Sequence, residues 1–136
     1  MRHALGVVGA ALKIVTTWAI SQALGLVVTF GIGTLMYGRL PHRGDVLSMS
    51  FWTSLAFLFV LPVFLISLER LSGAPEGPRA LARASATCAV GGVAAMGFLF
   101  VRFPSSHWSI EMLLFAIQGV VAGACLPVIY KLLDRT

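Results

Sequence analysis

Four long apolar runs alternate with short polar breaks along the chain: Ile14 to Tyr37, Val46 to Leu68, Ala84 to Val101 and Ile110 to Tyr130. Crossing about 30 Å of hydrocarbon takes roughly 20 helical residues, which these runs supply or approach. The breaks carry helix-interrupting Gly and Pro together with charges that resist burial. They are Gly38 to Asp45, Ser72 to Arg79, and Arg102 to His107. The pattern predicts an all-α integral membrane protein with four transmembrane helices, at about 14–37, 46–68, 84–101 and 110–130, in a single membrane domain spanning 1–136.

Composition agrees with the pattern. The 136 residues are 58% hydrophobic and only 11% charged, with a mean hydropathy of +0.92. Soluble domains use about a quarter charged residues, and a water-facing surface cannot be built from so few. The N-terminal stretch superficially resembles a secretory leader, with Arg2 before an apolar segment and Ser21-Gln22-Ala23 as a candidate cleavage site. Lys13 splits that segment, so retention is expected. Ala4 to Leu12 then lies at the interface or extends the first helix, and Lys13 snorkels to the headgroups.

Lys and Arg in short loops are held on the cytoplasmic side. Placing both termini inside puts Arg2, Lys13, Arg70, Arg79, Arg83, Lys131 and Arg135 in the cytoplasm and leaves Arg39, Arg43 and Arg102 outside. The expectation is a multi-pass protein of a bacterial inner membrane, the bacterial source being suggested by abundant Arg, Ala and Gly. The net charge of +5 then reads as contact with anionic membrane lipids. No aromatic-interleaved basic stretch points to nucleic acid.

An internal repeat is the most specific feature. Leu61-Pro62-Val63 is followed by Leu68-Glu69-Arg70, and Leu126-Pro127-Val128 by Leu133-Asp134-Arg135, with equal spacing. The preceding turns also correspond, Arg39-Leu40-Pro41 with Arg102-Phe103-Pro104. This predicts tandem duplication of a helical hairpin, repeat 1 at about 14–70 and repeat 2 at about 80–135. Each copy has two spans, so the pseudo-twofold axis runs along the membrane normal. Pro62 and Pro127 each remove an intrahelical hydrogen bond and are expected to kink their helices.

Membrane helices associate where small residues let backbones approach. Ser21, Gly25, Thr29 and Gly33, with Thr17, recur every fourth residue on the first span, and Gly119 and Gly123 form Gly-xxx-Gly on the fourth. The third span, which includes Gly92, is small almost throughout and is expected to be the most enclosed. The second is bulky, with Phe51, Trp52, Phe57, Phe59 and Phe64, and is expected to face lipid or a partner.

Polar groups in spans point to function because each is costly unless paired or hydrated. Gln22 and Gln118 suit interhelical hydrogen bonds or, in the sharper reading, a polar lining shared with Glu111. Glu111 also suits the positive end of a helix. His3, His42 and His107 fall at loops or the terminus, where they cannot clamp a haem between helices, and no spacing suggests a metal site. Cys88 and Cys125 lie in spans without a Cys-x-x-Cys pattern and read as packing residues. No nucleophile–base arrangement or phosphate loop is present. No catalytic residue, cofactor or metal is expected, and the chain is not expected to be an enzyme. The sequence carries no motif by which a family is recognised. Two expectations remain: a non-catalytic accessory or assembly subunit of a larger membrane complex, or a small homo-oligomeric transporter or channel for a small solute or lipid. The first predicts that Gln22 and Gln118 face packed protein, the second a wet cavity.

Overall fold

A computed structural model of the chain describes residues 1–73, 77–102 and 108–135; for 71–73, 100 and 108–112 it describes the backbone alone. The described residues form four α-helices: α1 (Arg2–Tyr37), α2 (Arg43–Gly73), α3 (Pro78–Arg102) and α4 (Trp108–Asp134). All four are long and apolar enough to cross a membrane.

Each helix outruns the apolar run that predicted it. Hydrophobicity marks the thickness of the solvent a helix suits, whereas a helix stops only where its backbone is capped or broken. α1 begins at Arg2 and continues through Lys13 to Gly38, which takes the left-handed conformation (φ 66°) and donates its N–H to the Thr34 carbonyl at 2.8 Å. That conformation favours glycine and ends the helix. α2 opens on a half capping box, in which the His42 N–H donates to Asp45 Oδ2 at 3.1 Å and the carboxylate meets the positive helix end. α2 and α4 run unbroken across Pro62 and Pro127. Pro62 faces outward and Pro127 is fully buried.

Successive helices run antiparallel. α4 packs broadly on α1 and α3 and touches α2; α2 packs on α3 and barely meets α1; among the described residues α1 and α3 do not meet. The third span is therefore not the most enclosed. α4 is, with 33% of its most apolar stretch buried against 28% in α3. Small side chains let α3 approach α4 closely, yet they leave its far side, with Val90, Phe98 and Val101, uncovered.

The α3–α4 contact is backbone on backbone. A Cβ at Gly119 would stand 2.7 Å from the Gly92 carbonyl oxygen. One at Gly92 would fall onto the Gly119 carbonyl, and one at Gly123 onto that of Cys88. The bulky second span divides: Phe51 and Phe59 are exposed, but Phe64 is fully buried and meets Tyr130 edge-on at 5.9 Å. Its register on α2, in line with Val60 and Ser67, turns it inward and corrects the outward expectation for that ring. Lys13 pairs with Asp134 and lies 5.2 Å from the Tyr130 ring centre, tying α1 to the end of α4.

A polar clasp beneath an open vestibule

Most hydroxyls in the helices satisfy themselves locally. Thr17, Thr34, Ser50, Thr53 and Ser67 each donate to the carbonyl four residues earlier, a bond that lets a hydroxyl sit among apolar groups. Thr29 does otherwise: its hydroxyl crosses to α4 and donates to Gln118 Oε1 at 3.0 Å. Gln118 Nε2 in turn donates to Gln22 Oε1 at 3.0 Å. Thr29 and Gln118 are both fully buried.

Gly25 makes room for this clasp. A Cβ there would lie 2.8 Å from Gln118 Oε1 and 2.9 Å from Nε2. The buried stripe Thr17, Ser21, Gly25, Thr29 and Gly33 is thus the surface of α1 that receives α4. Gly33 contributes less, since a Cβ there would meet Leu114 at an ordinary 3.9 Å.

Two hollows follow from the splay of α1 from α2, whose sparse contact includes Trp18 against Phe57, with ring centres 5.6 Å apart. At the end of the bundle where α1 turns into α2 lies a vestibule of about 380 Å³. Its walls are mostly apolar, including Phe30, Met49, Trp52, Leu99, Leu114 and Phe115, and Tyr37, Arg39 and Asp45 also border it. Deeper is a recess of about 30 Å³ lined by Trp18, Ser21, Gln22, Thr53 and Gln118, among others. Met96, 2% exposed, lines both hollows and stands as the partition between them. Trp18 Nε1 and Ser21 Oγ, both buried at the recess, have no hydrogen-bond partner among the described residues.

Gln22 and Gln118 are thus brought together, with Gln118 in packed protein and both at the edge of the small recess. The Glu111 side chain and all of His107 lie outside the described residues. His42 sits beside Asp45 at the start of α2, and no three potential metal ligands gather among the described residues. Cys88 is buried and donates its S–H to Ser67 Oγ at 3.9 Å, across the α2–α3 contact. Sequence reasoning missed the vestibule, Thr29 as a cross-helix donor, and Met96. Only Thr29 left a signal, its place four residues from Gly25 on the small stripe. No protein-family model, curated protein or solved structure matches this chain.

Proposed function

We propose that the chain is a non-catalytic accessory or assembly subunit, inserted four times in a bacterial inner membrane with both termini cytoplasmic, that packs against a larger membrane protein. The observation that carries this reading is the overhang of α1. Lys13 and Asp134 close that end of the bundle, yet the helix continues outward for its first eleven residues, Arg2 to Leu12, all exposed, with Leu5, Val7, Val8 and Leu12 each more than half accessible. At 1.5 Å per residue the overhang runs for roughly 17 Å, and none of the described residues covers its apolar side chains. A partner supplies that cover. The clasp points the same way, because Gln118 spends its amide on Thr29 and Gln22 rather than on a water-filled path.

A second reading, a small homo-oligomeric carrier of a solute or lipid, draws on the vestibule and on the recess beneath Met96. The hairpin duplication is supported by the repeated Leu-Pro-Val motif and by the contact pattern, since exchanging the hairpins maps the α1–α4 contact onto α3–α2. The α3–α4 pair is closed on its glycines, whereas the α1–α2 pair is splayed. Affinity purification of the tagged chain from its native membrane, followed by mass spectrometry, tests the subunit reading. A larger membrane chain in fixed ratio is expected, and its loss on changing Val7 and Val8 to Ser ties it to the overhang. Purification of the chain alone, or only with copies of itself, rejects it.

A further inference from the structure

The vestibule combines three properties that the recess lacks. Its floor is apolar, formed by Phe30, Leu99, Leu114 and Phe115. Its side is open, because α1 and α2 scarcely touch. Its rim bears an exposed cation, Arg39, which makes no ion pair among the described residues, and the Asp45 carboxylate at the same rim accepts from the His42 N–H at the head of α2.

The vestibule also lies where α1 ends in Tyr37, and such aromatic residues mark the headgroup level of a bilayer. At about 380 Å³ it falls within the usual size of small-molecule sites. We infer that the vestibule binds one phospholipid of the surrounding bilayer, with an acyl chain against the apolar floor and the phosphate at Arg39. Charge complementarity selects the occupant. Among the described side chains, Arg39 at the rim and Arg43, next along the start of α2, outnumber Asp45, so a lipid of net negative charge is preferred to a zwitterionic one. The open side lets the lipid enter from the bilayer without passing through water. The inference rests on insertion of the four helices in a membrane, and it holds whether or not a larger protein partner exists.

The test equilibrates the purified full chain in detergent with equal amounts of phosphatidylglycerol and phosphatidylcholine of identical chains, and reads retained lipid by native mass spectrometry. One retained lipid per chain is expected, with phosphatidylglycerol favoured about fivefold, which corresponds to about 1 kcal/mol for one surface cation. Arg39→Gln brings the two lipids near parity. Leu40→Glu, which adds one negative charge at an exposed rim position, likewise brings them near parity. Ser48→Trp, which fills the mouth from an exposed wall position, abolishes retention of both lipids while the thermal melt stays unchanged. Equal retention by the unaltered chain, a preference that survives Arg39→Gln, or lipid retained by Ser48→Trp overturns the site. Because the purified chain is used alone, failure here is separate from failure to find a protein partner in the membrane.

Discussion

Changing Gly92 to Ala adds one methyl group where α3 has no room for it. Its Cβ would fall onto the Gly119 carbonyl, and the reciprocal contact is nearly as close, with a Gly119 Cβ 2.7 Å from the Gly92 oxygen and 2.8 Å from its carbon. Carbon contacts are ordinarily about 3.5–4.0 Å, so the helices must part by roughly 1 Å along a seam that both backbones share. Backbone cannot rotate aside as a side chain can. Overpacking of this kind costs about 1–3 kcal/mol, and separation also weakens the neighbouring Gly123–Cys88 approach. Against this stands a gain of up to about 1 kcal/mol, because Ala favours helix over Gly. Gly97, five residues along the same helix, supplies the control: nothing lies within 4 Å of a Cβ there, so Gly97→Ala collects the gain alone. Equilibrium unfolding of the purified protein in mixed micelles with increasing dodecyl sulfate measures both. Gly92→Ala is expected to lower the unfolding free energy by about 1–2 kcal/mol net, and Gly97→Ala to leave it equal or raise it. Equal stabilities for the two variants would refute the backbone-on-backbone seam.

The clasp makes further predictions that the same unfolding assay checks. Gly25→Ala pushes the Gln118 amide from its partners and destabilises by about 1 kcal/mol, the scale of interhelical hydrogen bonds in membranes; in a Gln118→Ala background, where no amide is in the way, it becomes neutral or stabilising. Thr29→Val leaves Gln118 Oε1 without its donor and costs a similar amount, about 1 kcal/mol. Ser21→Ala is neutral or stabilising, because the Ser21 hydroxyl has no partner in the protein to lose. Lys13→Gln leaves the unfolding midpoint unchanged within error, since the ion pair with Asp134 is largely exposed, at 28% and 64% for the two side chains, and exposed pairs add little.

The spans and the α1 packing stripe were legible because each is a one-dimensional pattern. A run of about 20 apolar residues has one simple use, and small residues every fourth position define a single helix face. Facing relations between helices were less legible. Phe64 and Phe59 look alike in the sequence, but only the register of α2 against α3 and α4 turns one inward and the other outward. The centrality of α4 was hidden by the greater count of small residues on α3, since closeness to one neighbour is not enclosure by three. The vestibule had no signature at all. It arises from the imperfect closure of α1 on α2 and draws residues from every helix. Helix ends were misjudged outward of each apolar run, where Arg43, Gly44 and Asp45 prove to be the first turn of α2 rather than a loop.

Whether the polar residues of the bundle interior are sealed or wet separates the subunit from the carrier, and cysteine labelling reads that directly. In a Cys88→Ala, Cys125→Ala background, Ser21→Cys places a nearly isosteric thiol beside the clasp, and Ser48→Cys places one on the vestibule wall. Both variants in intact membranes are exposed to a small, charged, membrane-impermeant methanethiosulfonate. The account predicts rapid modification of Ser48→Cys from the outer side alone, and no modification of Ser21→Cys from either side. Modification of Ser21→Cys at a rate comparable to Ser48→Cys would reveal a water-filled route past Met96, contradict the sealed clasp, and make the carrier reading the better one.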